Sequence, residues 1–207
     1  MQTKNRLVYI VDDDPDVRHS VGFLVSSVGY QFVACGSAQE FLSVLDDQSP
    51  SCAVLDVRLP GQSGLELQEE LRRRGAATRI IFISGHGDIS KAVRAVRFGA
   101  IDFLEKPFDD QALLDRIEEA LAESAQALAK RQKESALNER MSCLTDRERQ
   151  VLSLVVAGMT SKAIATELDI SLKTVENHRH NLMTKAGVMS SSQLISWASG
   201  VDLIQKS

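Results

Sequence analysis

Leu7-Val8-Tyr9-Ile10-Val11-Asp12-Asp13-Asp14-Pro15 is the stretch that decides how the first half of this chain folds. A short, largely apolar run breaks abruptly into three carboxylates and a proline. Such a run, bounded by turn residues, marks a strand buried on both faces, and strands of that kind belong to parallel sheets covered by helices on either side. The design recurs downstream. Cys52–Leu55 closes at Asp56, Arg79–Ile83 closes at Ser84, and Ile101–Leu104 is followed by Lys106 and Pro107. Helical patterns come after the strands, near 15–28, 37–47, 64–74, 89–98 and from 109 onward, with Gly29, Gly75 and Gly99 where helix C-caps are expected. The alternation predicts an α/β flavodoxin-like domain, doubly wound, with strand order 2-1-3-4-5.

That topology puts the carboxyl ends of all strands on one edge and makes the first and third strands neighbours at the switch point. Asp12, Asp13 and Asp56 are thereby expected together, with Ser84 and Lys106 closing the rim. Three carboxylates in one cleft repel unless a cation sits among them, and an oxygen-rich, partly hydrated site suits Mg²⁺. A lysine beside that cation calls for a further anion, for which a phosphoryl group is the natural candidate. Pro60, Gly61 and Gly64 form a loop beside Asp56 whose small residues leave room for a phosphoryl group and its donor. The Lys106-Pro107 bond is a candidate for the cis form. Taken singly, each residue has a plainer reading: Asp14 or Asp16 as helix N-cap, Lys106 as a solvated charge, Ser84 as a turn residue. Their coincidence at one sheet edge argues for a site.

The runs Val11-Asp12-Asp13-Asp14-Pro15, Leu55-Asp56-Val57-Arg58-Leu59-Pro60-Gly61, Ser84-Gly85-His86-Gly87 and Glu105-Lys106-Pro107-Phe108 resemble a bacterial response-regulator receiver domain over the first 120 residues or so. The resemblance implies that Asp56 accepts a phosphoryl group from a sensor histidine kinase. It implies Mg²⁺ held by Asp13, Asp56 and the backbone carbonyl of Arg58, with Asp12 helping directly or through water. Ser84 and Lys106 would contact the phosphoryl oxygens. Phe103 stands where many receivers have tyrosine, so a switch there works through packing alone.

Composition agrees with a globular chain of one or two domains: 207 residues, 43% hydrophobic. No stretch approaches the roughly 18 apolar residues of a membrane span, and Met1 to Arg6 is polar, so neither a membrane partner nor a secretory signal is expected. Cys35, Cys52 and Cys143 lack metal-ligand spacing and fit a reducing cytoplasm. The net charge of −4 is uneven. Residues 1–122 carry 13 Lys+Arg against 19 Asp+Glu, a balance of −6, and the remainder carries 11 against 9, a balance of +2. An acidic front suits a divalent cation; the rear permits nucleic-acid binding without requiring it.

From Phe108 to Ala157 there is neither glycine nor proline, and Asp109–Arg140 is rich in helix formers. Leu113, Leu114, Ile117 and Leu121 mark a face that packs on the sheet, after which the face thins. A final helix of the first domain is therefore expected to run on as a linker, with domains at 1–122 and 142–207 joined by residues 123–141. A zipper through Leu114, Leu121 and Leu128 is the alternative, weakened by Ser124 and Ser135.

Beyond Cys143 the pattern is all-α. Thr145-Asp146-Arg147-Glu148 opens a helix as a capping box, Thr160 or Ser161 starts a second, Asp169-Ile170 turns, and Ser171 caps a third that Gly187 ends. A fourth starts at Ser190. Two short helices, a tight turn and an exposed third helix make a helix-turn-helix. On that third helix Val175, Leu182 and Ala186 face inward, and Lys173, Asn177, His180 and Thr184 face outward. Leu144-Thr145-x-Arg147-Glu148-x-x-Val151-Leu152 and Ser171-x-Lys173-Thr174-Val175-Glu176-x-His178, with Lys185, resemble the output domain of the LuxR/NarL/FixJ group. The resemblance implies phosphate contacts from Lys173, Thr174, His178 and Lys185, and base readout by Asn177, His180 and Glu176. Asn177 departs from the apolar residue common there.

The whole chain is thus identified as a FixJ-type two-component transcriptional regulator, not an enzyme beyond self-phosphotransfer and autodephosphorylation at Asp56. Its linker resembles that of regulators of aromatic-compound catabolism. The expected partners are a histidine kinase, double-stranded promoter DNA, RNA polymerase and, once phosphorylated, a second copy. The rival readings are a Mg²⁺-dependent phosphatase working through an aspartyl-phosphate and a constitutive DNA binder with a vestigial receiver. The first leaves the helix-turn-helix without purpose, and the complete acidic set argues against the second.

Overall fold

The structure, a computed structural model, describes residues 6–85 and 89–199. His86 and Gly87 of the third motif, the polar segment before Arg6 and residues 200–207 lie outside the described residues. The backbone forms two compact units that part between Lys130 and Arg131.

In the first unit the strands are β1 (Leu7–Val11), β2 (Gln31–Cys35), β3 (Ser51–Asp56), β4 (Arg79–Ser84) and β5 (Asp102–Glu105), of which β1, β3 and β4 are buried almost throughout. All pair in parallel, in the order β2-β1-β3-β4-β5. Alternate residues of β1, β3 and β4 enter opposite cores. Tyr9, Val11, Leu55 and Phe82 pack on one face with α2 (Ala38–Val44) and α3 (Gly64–Arg74). Val8, Ile10, Val54 and Ile83 pack on the other with α1 (Pro15–Ser27) and the start of α5 (Asp110–Ser142). Between β4 and β5 runs α4 (Ile89–Arg97).

Local chemistry sets where helices begin and end. Asp14 caps α1 by accepting from Asp16 N, with Pro15 in the first turn, and Ser63 and Glu66 close a capping box on α3. The second helix stops at Val44, short of the predicted 47. The Tyr9 hydroxyl accepts from Asp46 N at 2.8 Å and donates to Val44 O at 3.4 Å, so a tertiary group takes up backbone polarity that further helical bonds would have used. At α3 the glycine is required: a Cβ on Gly64 would lie 2.3 Å from the carbonyl oxygen of Asp56. Gly64 therefore serves the close approach of α3 to the end of β3, a tighter role than leaving room for a ligand.

Helix α5 is unbroken for 33 residues, about 50 Å at the usual rise. Leu113, Ile117, Ala120 and Leu121 press into the core of the first unit, and Ser124 continues that buried face. Leu121, which a zipper would need, is spent in that core.

The second unit contains α6 (Asp146–Val156), α7 (Ser161–Glu167), α8 (Leu172–Ala186) and α9 (Ser191–Ser199) around Leu144, Val151, Leu152, Ile164, Val175, Leu182 and Leu194. Thr145, Thr160 and Ser171 cap the first three through their hydroxyls. Asp169, at φ 53°, makes the left-handed step between α7 and α8.

Candidate functional site

The parallel registers align Val11 with Leu55 and Asp56 with Ile83, so Asp12, Asp56 and Ser84 emerge side by side at the carboxyl edge. All three are buried. Lys106 reaches them from the end of β5, tied by its backbone N–H to Ser84 O at 2.7 Å, and the Lys106-Pro107 peptide is cis. Its Nζ donates to Asp12 Oδ2 at 2.7 Å and to Asp56 Oδ1 at 2.9 Å. Burial alone would lower the Lys106 pKa, but the hydrogen bonds and charges of the two carboxylates outweigh it and hold the ammonium above its ordinary value.

The remaining oxygens are also engaged. Asp12 Oδ1 accepts from Asp14 N at 2.9 Å, and Asp56 Oδ2 accepts from Arg58 N. Arg18, which sequence reasoning passed over, donates from Nη1 to the Asp12 carbonyl at 2.7 Å. Nothing in the spacing of an exposed-looking helix residue signalled that backbone contact. Phe103 lies on β5 against the core, its ring 6.1 Å from Phe82 at 33°.

The expected cluster of three carboxylates is, in the structure, a pair bridged by one ammonium. Asp13 stands exposed at the rim, and among the described residues no three carboxylate, imidazole or thiol groups gather closely enough to cage an ion. The chemistry still fits a hard dication. The donors are carboxylate oxygens, Lys106 neutralises only one of the two buried charges, and Asp13 adds a further negative charge next to Asp12.

In the second unit the predicted outward face of α8 is exposed at Lys173, Glu176, Asn177, His180 and Thr184, with Thr174 and His178 half-buried. Thr174 is bound to the cap, its Oγ1 2.7 Å from Ser171 Oγ. Lys185 differs from its neighbours. Its Nζ donates to Glu148 Oε2 at 2.7 Å and to Cys143 O at 3.1 Å, closing an ion pair between the end of α8 and the first turn of α6. Burial would raise the Glu148 pKa, but the Lys185 bond and the Thr145 backbone and hydroxyl bonds hold it below its ordinary value. Arg179 also acts within the fold, donating from Nη2 to Ser191 Oγ at 2.7 Å.

A buried aspartate and hydroxyl under one lysine at the switch point, followed by a helix-turn-helix, define a receiver-type switch attached to a DNA-binding unit. Residues 8–118 match the model of the response regulator receiver domain, and residues 142–198 match that of the bacterial regulatory proteins of the luxR family. The chain belongs to the two-component response regulators that carry a luxR-type DNA-binding domain. It is 44% identical over 191 residues to the transcriptional regulatory protein FixJ of Azorhizobium caulinodans, spanning 92% of this chain and 90% of that protein. It is 42% identical to the response regulator protein TodT of Pseudomonas putida over 94% and 86% of the two chains. Among solved structures the response regulator StyR matches with a TM-score of 0.85 and 42% identity, over 94% of this chain and 98% of that one. Full-length FixJ from B. japonicum matches with a TM-score of 0.56 and 37% identity, over 96% and 98%.

Proposed function

We propose that Asp56 takes a phosphoryl group from a sensor histidine kinase, and that phosphorylation promotes dimerisation and sequence-specific binding to promoter DNA. The observation that carries the reading is the shared lysine: Lys106 Nζ touches both Asp12 and Asp56, so a cation already stands where phosphoryl oxygens would arrive. In the transfer a phosphorus–nitrogen bond of the donor breaks as an Asp56 oxygen bonds to phosphorus. Lys106 and the Ser84 hydroxyl receive the new oxygens. Asp12, Asp13, Asp56 and the Arg58 carbonyl would hold Mg²⁺, which offsets the repulsion between carboxylate and phosphoryl group.

In this reading residues 1–122 form the phosphoacceptor domain, 123–141 the helical linker and 142–207 the DNA-binding domain. Ser84 moving toward the phosphoryl group frees space for Phe103, and the surface of α4, β5 and α5 then favours a dimer. Lys173, Thr174, His178 and Lys185 hold phosphates, Glu176, Asn177 and His180 face bases, and the bound dimer engages RNA polymerase. A DNA partner puts the protein in the cytoplasm; none of the helices in the described residues is long and apolar enough to cross a membrane. The test is mass spectrometry after incubation with acetyl phosphate and Mg²⁺. One added phosphoryl group is expected in the wild type and none in Asp56→Asn. Undiminished labelling of Asp56→Asn would remove Asp56 as the acceptor.

A further inference from the structure

At the edge of the sheet opposite Asp56, three hydroxyls are buried together. Ser124, on α5, accepts a hydrogen bond from the backbone N–H of Ser51 at 3.0 Å. Ser51 Oγ lies 2.7 Å from Thr78 Oγ1. One residue earlier on α5, Glu123 accepts from Arg79 Nε at 3.3 Å. Ser51 and Arg79 are the first residues of β3 and β4, and Asp56 and Ser84 are the last. The two strands that end in the phosphoacceptor and its hydroxyl partner therefore each begin with a tie to the same helix.

The chemistry of the tie is unlike the rest of that packing. Leu113, Ile117 and Leu121 hold α5 through apolar contact, which is non-directional and tolerates small rotations and slides. A buried hydrogen bond tolerates neither, because a misplaced Ser124 leaves the Ser51 N–H buried and unpaired. Alanine is the better helix former at such a position, so the serine costs helix propensity while fixing register and azimuth. Ser124 also sits where leverage is large. The helix continues from it to Ser142, about 27 Å at the usual rise, so a tilt of about 10° there moves the far end by roughly 5 Å.

We propose that Ser124, assisted by Glu123, is the coupling residue through which the state of the phosphoacceptor edge sets the position of the helix leading to the DNA-binding unit. Ser124 touches neither the phosphoryl group nor DNA; it is a positioning residue. The inference rests on the phosphorylation-dependent reading above. β3 and β4 transmit a shift because a strand resists changes in length, and close-packed interiors pass small displacements on as discrete rearrangements.

The experiment uses the full-length chain as wild type, Ser124→Ala, Ser124→Thr and Glu123→Gln, each with and without acetyl phosphate and Mg²⁺. Labelling is read by mass spectrometry, and affinity by fluorescence anisotropy on a duplex that the phosphorylated wild type selects from a random pool. Ser124→Ala is expected to label like the wild type and to bind the duplex like unlabelled wild type. Its gain on phosphorylation should fall below about twofold, where couplings of ordinary size give 5–150-fold. Ser124→Thr, which keeps the hydroxyl, should recover most of the gain. Should Ser124→Ala fail to melt cooperatively, Glu123→Gln on the half-exposed rim supplies the reading, with the gain reduced at unchanged labelling. Full gain in Ser124→Ala, or in Glu123→Gln where that variant supplies the reading, overturns the coupling role. Absence of any gain in labelled wild type would instead sink the phosphorylation-dependent reading itself, and this inference with it.

Discussion

Lys106 governs the electrostatics of the carboxyl edge of the sheet, because two buried carboxylates lie within hydrogen-bonding distance of its Nζ. Removing one partner of a buried ionic cluster costs about 3–5 kcal/mol, chiefly because the charges left behind stay buried. The Lys106 side chain is 25% exposed, so the lower end of that range applies. Lys106→Met should therefore lose about 3 kcal/mol of stability at neutral pH, measured by urea melts. The pH window follows from the raised pKa. The lysine's contribution is complete below its ordinary value of 10.5 and fades as pH rises through the higher folded value. The penalty in Lys106→Met should accordingly hold across neutral pH and shrink only in strong alkali. With the competing ammonium gone, Mg²⁺ should raise the stability of Lys106→Met more than that of the wild type, by mass action on the folded state. Equal stabilisation of the two would count against Asp12 and Asp56 as Mg²⁺ ligands.

At the scale of elements, helix α8 depends on an ion pair made by Lys185 at its C-terminal end. Glu148 is buried at the start of α6 and satisfied by Thr145 and Lys185 together. Lys173→Ala should weaken binding to every duplex and lower the salt slope by roughly one unit while leaving the melting temperature unchanged. Lys185→Ala should destabilise the second unit first, by about 2–3 kcal/mol, less than a fully buried pair because its ammonium is partly wet. The lowered Glu148 pKa gives the acid limb: its stabilisation is present above the ordinary value of 4.5 and is lost as pH falls through the folded value. Acid melts followed through Trp197 fluorescence would check this, and a Lys185→Ala melt identical to wild type would dismiss the pair. The capping box of Thr145 and Glu148 was legible because it is local, three residues apart. The Glu148–Lys185 bond spans 37 residues and was not. β1, β3 and β4 and the residues at their carboxyl ends were legible because buried parallel strands leave continuous apolar runs, whereas the largely exposed edge strand β2 was implied only by the alternation of strand and helix. Ser124 carried the opposite signal. A serine inside an apolar repeat reads as a flaw in a zipper until the Ser51 N–H it satisfies is seen.

The whole molecule joins a front half with a charge balance of −6 to a rear half of only +2. Counterion release grows with the number of phosphates neutralised, so on the proposed reading the hold of a single copy on DNA is set by its few phosphate contacts. On the proposed reading, two copies on one site would combine both their phosphate contacts and their base contacts, so that association of receivers would control binding. A twofold dimer imposes its symmetry on the site, so the labelled protein should protect an approximate inverted repeat, and sedimentation should show tighter self-association after phosphorylation. Asn177 and His180 are exposed about one turn apart on α8, within reach of successive base pairs. Replacing either with alanine should cost about 1–3 kcal/mol on the selected duplex and little on a scrambled one. Titrations of both variants against both duplexes at several salt concentrations separate the cases. Equal weakening on the two duplexes would assign this face to the phosphate backbone and leave base readout to other residues.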